Sequence, residues 1–398
     1  MSRNISIHIK KEKWFDVIVV GGGPSGLLIA SFLAETGFSV AVFDQNSEIG
    51  KHVVCSGVMS KEGFSRYDLP KKAIIGGLKE ADLFSPGGSC ISYVHPEEAV
   101  VVVDRHIFDK ELAEISIVNG AEIWLNSRVS SLSVTDDYVE AVLKSEEGDR
   151  KVFADVGVIA TGVKYNLQST LGLGRPKKVV KGLQVEILTE NVERLRVYWG
   201  RRYSTGFFGW AIPLTEGRTR VGVMTEGHGM DGLNSILSEI GKYSEICPEG
   251  NGVKRRGIAF GTIPRSYSDR IVVVGEAAGQ IKTTTGGGIY YGLVSAELAA
   301  EVIRKAFKNG SFKAENLSEY ETKWRKMLGK EIIVGEYLHK FYSKLSDKSL
   351  DELFVAAEKD GLLPYIAKNG KFDWHTNAII KIFRSPNIRR VLWNGFMG

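Results

Sequence analysis

Apolar residues fall along this chain in two rhythms, and their order predicts an α/β protein. Val17 to Val20 form a short apolar run of the kind buried in a parallel strand. A helical stretch from Ser25 to about Glu35 follows, Gly37 sits where a left-handed helix end is wanted, and Ser39 to Phe43 form a second strand closed by Asp44. The apolar strand Ala99 to Val103 runs into a helix that starts beyond Asp104 and Arg105. Another apolar strand, from Ala154, ends at Ala160-Thr161-Gly162, and a third covers Ile271 to Val274. After three consecutive glycines, Ile289, Leu293, Ala296, Ala300, Ile303 and Phe307 recur at alternating four and three spacings, the stripe of an amphipathic helix. Residues 198 to 213 are rich in aromatics, and residues 311 to 398 read mainly as helix.

Composition narrows the class. The 398 residues are 43% apolar and 25% charged, ordinary for a globular protein with room for one large domain or two to three smaller ones. No run approaches the roughly eighteen apolar residues of a spanning helix. The first sixteen residues are basic but have no long apolar core and no small-residue cleavage site, so they read as a surface strand or tail and not as a secretion signal. Cys55, Cys90 and Cys247 are too few for a disulfide scaffold and lack metal-ligand spacing, so no metal is expected. The net charge of +5 suits acidic substrates, phosphate-bearing cofactors or an anionic membrane surface. With no basic run interleaved with aromatics, nucleic acid is not an expected partner.

The first strand–helix–strand carries Gly21-x-Gly23-Pro24-Ser25-Gly26. Gly21 permits the tight turn, Gly23 lets backbone approach a pyrophosphate, and Gly26 lets helix pack closely on sheet. Asp44 is placed to accept hydrogen bonds from a ribose, which disfavours a 2′-phosphate. The expected nucleotide is FAD or NAD, and the position at the start of the chain favours FAD. Three distant segments fit the same cofactor. Arg105 opens a helix from which it can reach a phosphate or the flavin; Ala160 and Gly162 end a strand beside the adenine; Gly275 and Glu276 form a turn in which Glu276 faces a ribityl hydroxyl. Gly286, Gly287 and Gly288, with Ile289, would present bare backbone and a positive helix end to the isoalloxazine.

The order GGGPSG, DR, ATG, GEAAG, TTTGGGIYYG resembles the flavoprotein superfamily of p-hydroxybenzoate hydroxylase, and within it the archaeal geranylgeranyl reductase family, over roughly residues 14 to 310. In "GKHVVCSGVMS", Cys55-Ser56-Gly57 resembles that family's Cys-Gly-Gly segment, with Ser56 replacing a glycine. The resemblance implies a catalytic position for Cys55 and Gly57 and a cofactor contact for Lys51. The segment Phe208-x-Trp210-x-Ile212-Pro213, with Gly222 following, resembles the family's Tyr-x-Trp-x-Phe-Pro and also the Trp-x-Trp-x-Ile-Pro of flavin-dependent halogenases. It implies substrate contacts at Tyr203, Phe208, Trp210 and Pro213, with Arg201 and Arg202 as candidates to hold an anionic headgroup.

The implied activity is an FAD-dependent reductase that saturates isolated double bonds of geranylgeranyl chains, on a diphosphate or an archaeal ether phospholipid. An unactivated alkene offers no carbonyl to polarise, so a hydride from reduced flavin and a proton must both be supplied in a dry, apolar channel. The alternatives are a monooxygenase or halogenase of the same superfamily, and a non-catalytic flavin or lipid-carrier module. Expected partners are a polyprenyl lipid and an electron donor: a nicotinamide, a ferredoxin or another flavin. The expected architecture is a Rossmann-like FAD domain from segments 14–70, 100–165 and 255–310, an antiparallel-sheet substrate domain from 71–99 and 166–254, and a helical C-terminal region, 311–398. The tail joins Ile379, Ile380, Ile382, Phe383, Val391, Leu392, Trp393 and Phe396 to Lys381, Arg384, Arg389 and Arg390. That mixture suits peripheral contact with the inner face of a cell membrane by an otherwise cytoplasmic protein, or docking on the protein's own core.

Overall fold

The structure is a computed structural model describing residues 13–97, 99–144, 148–241, 245–246 and 252–397, so the first twelve residues and Cys247 lie outside it. The chain opens with β1 (Lys13–Val20), α1 (Pro24–Ala34) and β2 (Val40–Phe43). It then runs through β3 (Val58–Ser60), α2 (Lys61–Arg66), β4 (Ile74–Leu78), β5 (Glu80–Phe84), β6 (Cys90–Val94) and β7 (Val100–Val103). Helix α3 (Arg105–Val118) leads to β8 (Glu122–Trp124), β9 (Arg128–Val134), β10 (Val139–Lys144) and β11 (Arg150–Ile159). After α4 (Asn166–Thr170) come β12 (Lys178–Leu188), β13 (Leu195–Trp199), β14 (Phe208–Pro213), β15 (Arg218–Thr225), α5 (Met230–Ile240), β16 (Glu245–Ile246) and β17 (Lys254–Phe260). Strands β18 (Tyr267–Ser268) and β19 (Ile271–Val273) precede the long helix α6 (Ile289–Asn309). The chain closes with α7 (Ala314–Trp324), α8 (Lys330–Tyr342), α9 (Asp347–Lys359), α10 (Leu362–Asn369), α11 (Thr376–Arg384) and α12 (Pro386–Met397).

The first sheet is Rossmann-like. Its strands run β18-β19-β11-β1-β2-β8, with parallel pairing from β19 through β8, and β10 and β9 extend it antiparallel from β11. Strands β1 and β2 read as near-continuous apolar runs because both faces are covered. On one side α1, α3 and α6 bury Leu27, Phe108 and Leu293 against Val17, Val19 and Val42. Four of the six residues in the predicted α6 stripe are buried, and Ile289 and Phe307 pack at its rim.

The second sheet, β16-β12-β15-β14-β13-β5-β6 with β17 beside β12, is antiparallel except where β13 runs parallel to β5. A small antiparallel sheet, β3-β7-β4, joins the two. Two expected divisions shift as a result. The boundary at residue 255 cuts through β17, which pairs along its length with β12, so the chain returns to the first sheet only at β18. Likewise β4, expected with the second sheet, pairs with β7.

Residues 311–397 are helical, as the sequence reading expects, apart from an isolated bridge between Lys371 and Trp374. The tail breaks at Ser385–Pro386 because proline has no N–H to continue the first helix. Beyond the break, Ile388, Val391 and Leu392 are buried with Leu345, Leu350 and Ala356, so α12 docks on the protein. Trp393 stays 70% exposed, and the Phe396 side chain lies outside the described residues.

Candidate active site

The glycine turn after β1 is shaped by contacts a Cβ would violate. Gly21 takes φ +113°, and a Cβ there would sit 2.5 Å from the Ala160 carbonyl oxygen. A Cβ on Gly26 would lie 2.0 Å from the Gly21 oxygen, so α1 rests directly on the turn. Gly23 differs: a Cβ there would meet nothing within 4 Å. Gly23 is the N-cap of α1, Pro24 follows it, and no side chain caps the helix, so free N–H groups face open space. Ser25 has the opposite setting, since its Oγ fills the space that a Cβ would need at both Gly275 and Gly292. Asp44, at the end of β2, accepts from Gly22 N and Asn46 N, both at 2.8 Å. Each oxygen keeps a lone pair for a hydroxyl. Gly162, at φ +59°, faces Glu276 across the turn after β11.

The glycine triplet answers to the protein's own side chains. A Cβ on Gly286 would approach Met224 Sδ to 2.8 Å, one on Gly287 would approach Lys282 Cε to 2.8 Å, and one on Gly288 would approach Ile281 to 3.0 Å. The sequence reading attributes this closeness to a ligand; side chains of the protein itself also stand close at all three positions, and φ +74° gives Gly286 a further reason to be glycine. The N-terminus of α6 has no side-chain cap.

Residues 371–376 clamp the same loop from behind. Lys282 Nζ lies 2.7 Å from Asp373 Oδ1 and 4.0 Å from the Phe372 ring centre, and both charged side chains are buried. Burial pulls the Lys282 pKa down while Asp373 opposes it. His375 Nδ1 bonds Thr284 Oγ1 at 2.7 Å, its Nε2 lies 2.7 Å from the Phe372 carbonyl, and burial with Lys282 nearby pulls its pKa down to about 4.

The loop 54–57 is held from three sides. Arg256 of β17 donates to the Val54 carbonyl at 3.0 Å, and Arg220 of β15 donates to the Ser56 carbonyl at 2.7 Å. Gly57, at φ +75°, carries its oxygen to the Val103 N–H at 2.9 Å. Cys55, half-buried, accepts from Gly57 N at 3.4 Å and also interacts with Arg105. Arg105 does not extend freely: its guanidinium is forked onto the buried Asp109 at 3.0 and 2.9 Å. Burial pushes the Asp109 pKa up, and Arg105 opposes the shift. Glu276 is engaged as well, paired with Arg256 and accepting from Ala259 N at 3.2 Å. Its expected ribityl contact therefore has to share the carboxylate with Arg256. Lys51 lies on the surface and donates to Ser47 Oγ at 3.0 Å.

Alternation along the second sheet decides which predicted residues meet. Val221 and Val223 face α5, with Leu233 and Ile236, so Arg220, Gly222 and Met224 point to the other side. Trp210 pairs with Gly222 and covers it, Phe208 and Trp210 pack with Met224 and Ile258, and Met224 reaches Gly286. One face thus gathers Phe208, Trp210, the loop 54–57 and the glycine triplet. Pro213 ends β14 on its opposite side and edge. Tyr203 is corrected by the same rule: it packs in the α5-side cluster with Tyr198, and Arg202 pairs with Glu239 of α5 at 2.8 Å. Arg201, exposed, hands its N–H to Asp347 at 3.1 Å. Sequence spacing gave no register for this turn, so its three residues fall away from the site.

A flavin dinucleotide fits the residues present. The open space at Gly23, the uncapped N-termini of α1 and α6, and the Asp44 lone pairs suit its phosphates and ribose. The buried Tyr165 hydroxyl and Trp210 Nε1 have no hydrogen-bond partner among the described residues. Arg220 and Arg256 were not singled out from sequence. The signal was an arginine at an inward position of an otherwise apolar strand, as in "TRVGVM".

Residues 19–76 match the family model of an NAD(P)-binding Rossmann-like domain. The chain is 29% identical over 360 residues to digeranylgeranylglycerophospholipid reductase 2 of Methanothermobacter thermautotrophicus, covering 86% of this chain and 92% of that one. A geranylgeranyl bacteriochlorophyll reductase-like protein of Thermoplasma acidophilum superposes with TM-score 0.84 at 22% identity, over 96% of this chain and all of that one. The myxobacterial chondrochloren halogenase, a variant of FAD-dependent halogenases, superposes at 0.69 with 17% identity, over 96% of this chain and 97% of that one. The resemblance to the archaeal reductases therefore runs through most of the chain, and its fold is shared across a wider set of flavoproteins.

Proposed function

We propose that this relative of the archaeal digeranylgeranylglycerophospholipid reductases is an FAD-dependent reductase of isolated double bonds in geranylgeranyl chains. The supporting observation is the single sheet face that brings Phe208, Trp210, Met224 and Ile258 against the glycine triplet, with Cys55 on the loop held over that face. An aromatic, apolar wall beside a flavin position excludes water and suits an alkene that offers no polar handle. Bound flavin, when reduced, supplies the hydride. Gly21, Gly23, Pro24, Ser25, Gly26, Asp44, Ala160 and Gly162 hold the dinucleotide end, and Gly275, Glu276 and Gly286 to Ile289 its ring end. Arg220 and Arg256 fix the loop so that the Cys55 thiol can hold a proton toward the alkene.

The test is anaerobic. Enzyme reduced with dithionite is mixed with geranylgeranyl diphosphate or with the ether phospholipid. Flavin reoxidation without oxygen and product gaining two mass units per bond are expected. Reoxidation that needs O₂ would replace this reading with the monooxygenase or halogenase alternative. That alternative draws on the Phe208-x-Trp210-x-Ile212-Pro213 segment and the halogenase-like fold.

A further inference from the structure

We infer that the outer face of α8 and α11 docks on the surface of an anionic phospholipid bilayer, the groove between the two helices taking apolar chains from it. This rests on the lipid-reductase reading for its purpose alone, since vesicle binding is measured without turnover. The groove has a volume of about 510 Å³ and is walled by Val334, Leu338, Phe341, Ile379, Ile380 and Phe383, with Arg384 the one charged residue lining it. At its lip, Ile333 and Tyr337 stand one helical turn apart on α8, 49% and 67% exposed. Exposed apolar surface of this kind, rimmed by charge, marks an interaction site.

The charge is of one sign. Lys330 and Lys340 of α8, and Lys381 and Arg384 of α11, are exposed and make no ion pair among the described residues. Both acids of α8 turn inward: Glu331 accepts from His375 N and Thr376 N, and Glu336 pairs with Lys177. Helix α11 has no acid at all. A cationic rim around an apolar groove complements an anionic headgroup layer over acyl chains, and a protein partner would need its own matching acidic ring. No helix among the described residues is long and apolar enough to cross a membrane, so the contact lies in the interface plane. Both helices of the groove are also tied to the loop before α6. Helix α11 starts directly after His375, which bonds Thr284, and Thr283 donates to the Ile332 carbonyl of α8 at 2.7 Å.

The experiment is sedimentation of the full-length protein with vesicles of phosphatidylcholine, with and without phosphatidylglycerol. Binding that requires phosphatidylglycerol and weakens with salt is expected. Ile333→Asp with Tyr337→Asp, both at exposed positions, should cut partitioning at least about tenfold with circular dichroism and thermal unfolding unchanged. Lys381→Glu with Arg384→Glu should remove the preference for anionic vesicles. Equal binding to neutral and anionic vesicles overturns the inference, as does unaltered binding by the aspartate pair. Concentration-dependent dimerisation abolished by that pair also overturns it, because a second copy then covers the face. Vesicle binding without prenyl-lipid reduction would leave this inference standing and sink the proposed function instead.

Discussion

Replacing Arg220 with methionine keeps most of the side-chain volume and removes the fork that latches the loop 54–57. The guanidinium is 7% exposed and makes two contacts with Glu186, at 2.8 and 2.7 Å, besides its bond to the Ser56 carbonyl at 2.7 Å. Glu186 does not become a bare charge in the variant, because Arg218 Nη1 stands 3.8 Å from its other oxygen. The loss therefore concentrates on the loop. A buried hydrogen bond from a charged donor contributes about 1.5–3 kcal/mol, and about 2 kcal/mol is a fair value for one onto a loop carbonyl. That corresponds to a roughly 30-fold larger population of the opened loop. The assay is amide hydrogen exchange followed by mass spectrometry. It should show faster exchange in peptides covering residues 54–60 and 100–104, since the Val103 N–H donates to Gly57. Arg220→Lys keeps the charge without the fork and should fall between parent and methionine variant. Exchange in both segments equal to the parent's would refute the latch. Acceleration spread evenly through the second sheet would show that Arg220 supports the sheet as a whole.

The cradle gives a sharper separation of stability from binding. Gly23→Ala places a Cβ in open space, so flavin-free protein should unfold at the parent temperature while flavin affinity falls about tenfold or more; equal affinity would remove Gly23 from the cofactor site. His375, neutral in the folded protein with a pKa of about 4, takes up its proton on unfolding near the ordinary value of 6.5. Its contribution is complete above pH 6.5 and is lost as pH falls toward 4, about 3 kcal/mol across that window, so His375→Gln should flatten the stability curve in acid urea titrations. Cys55→Ala should slow double-bond reduction roughly a hundredfold with flavin content unchanged, and Cys55→Ser less; parent rates in both would take the thiol out of the chemistry.

How far the sequence disclosed this depended on which interactions are local. The turn at Gly21 to Gly26, the strand-ending Asp44 and the α6 stripe are set within a few residues of themselves, so their pattern could be read and the Rossmann-like fold with them. The second sheet's register could not, because pairing between β14 and β15 or β12 and β17 joins distant segments. Tyr203 and Arg202 were grouped with Phe208 and Trp210 by nearness in sequence, yet the turn before β14 sends them to the opposite side. Arg105 was read correctly as a helix opener, but its buried carboxylate, Asp109, offers no sign in sequence of being buried. The glycine triplet shows closeness in its sequence, but the protein neighbours Met224 and Lys282 could not be read there, since only the tertiary fold brings Met224 to it.

The clamp of residues 371–376 on Lys282 has a consequence for the order in which this protein is completed. Asp373 lies near the end of the chain, and Lys282 lies ninety-one residues earlier in the loop before α6. Until Asp373 arrives, folding that loop would carry an ammonium into the interior with no counter-ion, which is strongly unfavourable. The first sheet draws its core from as far along as Leu317, Tyr320 and Trp324, and the loop before α6 is closed later still, by residues 371–376. Chains cut before residue 371 should keep the β1–α1 turn and lose flavin, and flavin fluorescence on such truncations reports it directly. A truncation that retained flavin at the parent affinity would show the loop closing without its last partner.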